Sequence, residues 1–147
     1  MGTPKRILVA TDFSAASDAA LEYAVALARA FHASVTLVHA YELPNYSYPD
    51  VAVPVPPEMD REIEKAAKRS LHAACERHAK SGVKLDAIVA RGRPWAEIER
   101  VADDKKADVI VLGNHVRGPL GRAFLGSVAE KVVRTSKLAV LVVPSRK

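Results

Sequence analysis

Aromatic residues are scarce in this chain, at 5% of its 147 positions. Ala, Val, Leu and Ile must therefore fill the interior. There is one cysteine, Cys75, which excludes an internal disulfide. It sits in an Ala-rich helical stretch and reads as a small apolar residue, not a reactive thiol. No apolar run approaches the ~18 residues of a membrane span. Residues 1–6 run into a short apolar stretch with no secretory hydrophobic region. These absences predict a cytoplasmic protein with no membrane partner. No pair of His or Cys has metal-ligand spacing, so no metal site is expected. The chain also lacks an obvious nucleophile–base pair or paired carboxylates, so no catalytic residue is assigned. A slow hydrolytic or self-modifying activity stays open.

What is present has the balance of a folded protein: 49% hydrophobic and 27% charged residues, in a length that suits one compact domain over 1–147. The net charge is +5 and the isoelectric point about 9.5. The basic residues are scattered among acidic ones, as in Asp60-Arg61-Glu62-Ile63-Glu64-Lys65, and no aromatics alternate with a basic run. That pattern argues against nucleic acid and fits a small anionic ligand equally well.

Taken in order, Arg6–Thr11 reads as a strand buried on both faces. Asp12-Phe13-Ser14 turns the chain, with Asp12 or Ser14 available to cap a helix over Ala15–Phe31. Val35–Ala40 is a second strand, with His39 as a packed, hydrogen-bonded residue. Residues 43–58 hold five of the nine prolines and read as a long, mobile loop. Pro57 opens a second helix that ends at Ser81-Gly82. Val83–Ala90 is a third strand, and a third helix follows Pro94. Asp108–Leu112 is a fourth strand, Val128–Thr135 a fourth helix, and Leu138–Val143 a fifth strand. Apolar strands alternating with amphipathic helices predict an α/β fold, a parallel sheet with helices on both faces. Ligands of such sheets lie at the carboxyl ends of the strands where the winding reverses. If the first and fourth strands are neighbours, Asp12 and Gly113 flank that crevice.

The stretch Gly113–Glu130, GNHVRGPLGRAFLGSVAE, joins a buried strand through a Gly-rich loop to a helix N-terminus, an arrangement suited to anions. Ser127 with Glu130 has the spacing of a capping box. A dinucleotide fingerprint is excluded because Thr11-Asp12-Phe13-Ser14 contains no glycine. Gly121–Ser127 opens like a P-loop, but Ser127 stands where the phosphate-binding lysine is required.

The whole chain resembles the universal stress protein family. The resemblance rests on ILVATDFSAASDAALEYAVALARA, VTLVHAYE, DVIVLGNHVRGPLGRAFLGSVAEKVVR and LAVLVV. The ATP-binding pattern of that family, G-x2-G-x9-G-[ST], falls on Gly113, Val116, Gly126 and Ser127, with valine in the place of the second glycine. The resemblance implies a Rossmann-like domain with five parallel strands in the order 3-2-1-4-5. It also implies a stress-response protein, commonly a homodimer joined through its last strand. By position it implies that Asp12 contacts the nucleoside and that Thr11 and Ala40 line the base through backbone atoms. Gly113, His115, Val116, Gly126, Ser127 and Val128 would surround ribose and phosphates of ATP (or AMP/ADP), with or without Mg²⁺. If position 116 needs a left-handed backbone, valine costs ~1–2 kcal/mol there, roughly a tenfold loss of affinity. Two functions are then expected: a nucleotide-binding sensor or regulator acting through partners, or a dimeric interaction module that has lost the nucleotide.

Overall fold

The computed structural model describes residues 2–43, 46–48, 51–114 and 125–145. Strands β1 (Arg6–Ala10), β2 (Ser34–Tyr41), β5 (Leu85–Arg91), β6 (Val109–Asn114) and β7 (Ala139–Pro144) form one sheet. All neighbouring strands are parallel, in the order β5-β2-β1-β6-β7. Numbered along the sheet-forming strands alone, this is 3-2-1-4-5, as expected. The winding moves outward from β1 to β2 and β5, then crosses back to β6. The switch point therefore lies between β1 and β6.

Two apolar clusters explain the layering. In β1 alternate side chains point to opposite faces. Ile7 and Val9 join one cluster with Leu21 and Ala24 of α1 (Ala15–Phe31) and Leu71 and Ala74 of α2 (Pro57–Glu76). Leu8 joins the other, with Ile98 and Val101 of α3 (Pro94–Asp104) and Ala129 and Val132 of α4 (Ser127–Thr135). Alanines at 20, 24 and 28 are buried at one-turn spacing, and their small side chains let α1 lie close to the sheet. Among the described residues no helix is long and apolar enough to cross a membrane.

The amino end of the sheet is fastened by Asp108. Its carboxylate accepts the backbone N–H groups of Lys5 at 2.7 Å and Arg6 at 2.8 Å, joining the starts of β1 and β6. The amide of Lys5, then that of Arg6, holds this carboxyl below the usual aspartate range.

Three expectations are corrected. The loop over 43–58 contains a hairpin, with β3 (Tyr46–Tyr48) antiparallel to β4 (Val51–Val53). Its sequence is β-prone, Tyr-Ser-Tyr and Val-Ala-Val, and the prolines at 44, 49 and 54 fall outside both strands. The base of this excursion is tied: the Tyr41 hydroxyl donates to Asp60 at 2.9 Å, and Arg91 pairs with the same carboxylate. Burial, then the bond to Asp60, pushes the Tyr41 phenol up. The second helix ends at Glu76, not at Ser81-Gly82, and Arg77–Lys80 form successive turns. Its last buried residue is Ala74, so nothing apolar rewards another helical turn. The third strand begins at Leu85, two residues later than expected.

Candidate functional site

The first wall of the crevice is the turn after β1. Thr11 N–H still donates to Val38 O at 2.9 Å, one step beyond the end of the strand, before the chain leaves the sheet. Thr11 Oγ1 accepts from Phe13 N–H at 2.9 Å, and Phe13 takes the left-handed conformation with φ 65°. Ser14 is the N-cap of α1, its Oγ accepting from Ser17 N–H at 3.2 Å. Asp12 is therefore not the cap. Its Oδ1 accepts from Ser14 N–H at 3.0 Å and from Ser17 Oγ at 2.7 Å, while its own N–H donates to Ser17 Oγ at 3.1 Å. The network fixes Asp12 at the mouth of the crevice and buries Ser17.

The second wall is the end of β6. A Cβ built on Gly113 would stand 2.4 Å from the backbone oxygen of Ala16 and 2.8 Å from the backbone nitrogen of Ser17. The first turn of α1 thus crosses β6 in direct backbone contact. Gly113 is required for that crossing, whatever else it does.

The third wall is the start of α4. Gly126 is its N-cap, with φ −62° and ψ 158° and no side-chain cap bond, and its carbonyl accepts Glu130 N–H at 2.8 Å. The expected capping box is absent for a simple reason of register. The helix starts at Ser127, one residue early, which makes Ser127 the first helical residue and puts Glu130 one place too far along. Glu130 pairs instead with Arg134 at 2.6 Å. A Cβ on Gly126 would meet nothing within 4 Å among the described residues, so this glycine, unlike Gly113, answers to no packing need there.

Between these walls lies a crevice of about 280 Å³, just under the lower end of small-molecule sites. Its apolar lining is Ala10, Ala40, Pro94, Ile98, Leu112 and Val128, and its polar lining Thr11, Asp12, Ser17 and Ser127. Of the residues expected from the sequence, Thr11, Asp12, Ala40, Gly113, Gly126, Ser127 and Val128 converge here. His115 and Val116 lie outside the described residues. The sequence reading missed Ser17, Pro94, Ile98 and Leu112. Pro94 follows the third strand, so the rule that ligands sit at carboxyl ends of strands was the available signal; Ser17 was visible only as a second serine three residues after the cap. Beside the crevice, the Lys131 ammonium lies 4.8 Å from the centre of the Trp95 ring, linking α4 to α3.

The arrangement is suited to binding an anion. Helix-initial amides of α4 lack intrahelical acceptors and carry the positive end of the helix dipole. Asp12 stands at the mouth of the crevice, and the apolar lining suits a flat ring. Among the described residues no group of three His, Cys, Asp or Glu side chains could hold a metal ion.

Known proteins share this fold. A model described as the universal stress protein family matches residues 3–144. The chain is 38% identical over 145 residues to a universal stress protein of Thermus aquaticus, covering 95% of this chain and 98% of that one. Among solved structures, a universal stress protein family member from Burkholderia pseudomallei has a TM-score of 0.77 at 26% identity, covering 98% of both chains. A universal stress protein solved in complex with cAMP has a TM-score of 0.71 at 26% identity, covering 99% of this chain and 100% of that one.

Proposed function

The chain belongs to the universal stress protein family, a family of stress-response proteins, and on that premise we propose that its crevice binds an adenine nucleotide through which it acts as a sensor or regulator on partners. The observation that carries this reading is the start of α4. Its N-cap is a glycine with no side-chain bond, and residues 126–129 all line the crevice. A helix end left open beside a cavity is suited to phosphate. Ala40, Ile98 and Val128 supply the apolar side a purine needs, and Asp12 faces the ribose. His115 and Val116 lie outside the described residues, and the family resemblance assigns them to the phosphates. The cAMP bound by a relative of the same fold is chemistry of the same class. ATP, AMP or ADP are the candidates here, with Mg²⁺ carried by the phosphates and not by a protein metal site. The protein is read as a binding protein, not a dedicated enzyme, located in the cytoplasm, with residues 1–147 acting as one domain.

The decisive measurement is thermal unfolding with and without ATP and Mg²⁺. At a concentration about 100 times Kd, binding stabilises the folded state by about 2.7 kcal/mol, a rise of roughly 5–10 °C for a chain of this size. Val116→Gly is expected to tighten binding about tenfold by removing a side chain from the phosphate loop. A flat response in the parent with a shift in Val116→Gly would favour the other reading, an interaction module of this fold that has lost its nucleotide. A flat response in both overturns nucleotide binding at this crevice.

The partner surface of first interest is β7, which pairs with β6 on one side only and whose Val140, Leu141 and Val142 are partly exposed. An apolar edge of this kind invites pairing, and a homodimer through the last strand satisfies it. Sedimentation is expected to show a dimer; a monomer across the micromolar range removes this assignment.

A further inference from the structure

His39 belongs to β2 on the face away from the crevice, alternating with Val38 and Ala40, which pack in the cluster beneath α3 and α4. Its ring lies behind the turn that carries Asp12. Nδ1 is 2.8 Å from the carbonyl oxygen of Thr11. A carbonyl only accepts, so Nδ1 carries the proton and donates. The same ring lies against Phe13, with centroids 4.5 Å apart, and is stacked with Tyr41 at 6.3 Å. Phe13 is one of three non-glycine residues with positive φ among the described residues, and the other two, His32 and Lys106, lie within two residues of a helix C-terminus, where that conformation is ordinary. Phe13 has no such excuse. A bulky residue in the left-handed region persists only where its surroundings hold it.

We propose that His39 is a positioning residue for the crevice: it holds the Thr11 carbonyl and the Phe13 ring together from behind, and so sets where Asp12 stands. The logic is geometric. Residues 11 and 13 flank Asp12 on both sides, and one side chain contacts both. The Thr11 N–H is already committed to Val38 O, so with the bond from His39 both backbone polar groups of Thr11 are anchored to β2. The chain can then leave the sheet sharply at Asp12, where the α1 cap network begins. Without the imidazole, the Thr11 carbonyl loses its donor and Phe13 loses a partner that offsets its strained backbone. Asp12 then samples several positions instead of one.

As a statement about ligand affinity this inference rests on the nucleotide reading above, so the test has an arm that needs no ligand. His39→Phe keeps a flat ring against Phe13 and deletes the donor. His39→Asn deletes the ring but its amide can donate from nearly the place of Nδ1. In the ligand-free protein, amide hydrogen exchange at Phe13 and Ser14 is expected to accelerate at least tenfold in His39→Phe and to return toward the parent rate in His39→Asn, while core amides such as those of Val9 and Val111 keep their protection. Unchanged exchange at residues 13 and 14 in His39→Phe overturns the inference. Loss of protection throughout the core in both variants also overturns it, because His39 would then serve stability alone. In the second arm, ATP affinity is expected to fall about tenfold in His39→Phe and to recover to within about threefold of the parent in His39→Asn; equal affinity in parent and His39→Phe counts against positioning. A parent that binds no ATP sinks the nucleotide reading and leaves the exchange result to decide on His39.

Discussion

Gly113→Ala is expected to destabilise the protein by about 3 kcal/mol and to lower its melting temperature by roughly 10 °C. The reason is not backbone strain. The added methyl would lie 2.4 Å from the Ala16 carbonyl oxygen and 2.5 Å from its carbon, far inside van der Waals contact. Neither atom belongs to a flexible side chain that can swing aside. To make room, the first turn of α1 must lift from β6, and that turn carries Ala16 and Ser17, both buried, with buried Ala20 in the next. The shift would also pull Ser17 from Asp12, so any ligand held by Asp12 weakens together with the fold. Ser17→Ala serves as the comparison. It takes the Ser17 hydroxyl from Asp12 without forcing the helix to move, costing about 1–2 kcal/mol for the two hydrogen bonds they share and leaving the helix seated. Chemical denaturation of the two variants beside the parent separates them. If Gly113→Ala is as stable as the parent, the close crossing of α1 over β6 is wrong, and the crevice walls with it.

Much of this architecture was legible because its signals are local. The apolar tetrads Ile7–Ala10 and Val109–Leu112 announce strands buried on both faces, and the alanine spacing in α1 announces a helix laid close on a sheet. Strand order came from family resemblance rather than periodicity, since no local signal tells β6 to lie beside β1. The site was half legible. Asp12 and Gly113, at the ends of β1 and β6, follow from the rule about switch points and Ala40 from the family resemblance, but Ile98 and Leu112 are apolar residues whose spacing marks only a core. The capping box at Ser127 shows how a motif can mislead: a shift of one residue in helix start moves Ser127 from cap to first helical position and deprives Glu130 of its role. The hairpin at 46–53 was hidden by its prolines, which dominate composition yet sit between and beside two strands of three residues each. Gly113 and Gly126 look alike as motif letters. Only the three-dimensional neighbours separate one needed for packing from one that nothing among the described residues requires.

That separation leads to a variant with effects of opposite sign. Gly126→Asp is expected to leave stability unchanged or to raise it by up to about 1 kcal/mol, while abolishing the thermal response to ATP. The backbone of Gly126 is already extended at φ −62° and ψ 158°, a conformation any residue adopts, and its Cβ would meet nothing within 4 Å among the described residues. Aspartate is among the best N-caps. Its carboxylate would take the free amides at the second or third helical residue and would sit at the positive end of the dipole. Those are the same donors the nucleotide reading reserves for phosphate. The new charge then acts twice against ATP, by occupying the amides and by repelling the phosphates. At about 4 Å the repulsion is about 4 kcal/mol for an effective dielectric near 20, which exceeds a hundredfold loss of affinity. Gly126→Asn isolates the first effect, because it caps without charge; its affinity should fall between parent and Gly126→Asp. Calorimetric titration of the three proteins orders them directly. An aspartate variant that binds ATP as tightly as the parent would mean that the phosphates do not rest on α4, and the crevice would then need a different ligand.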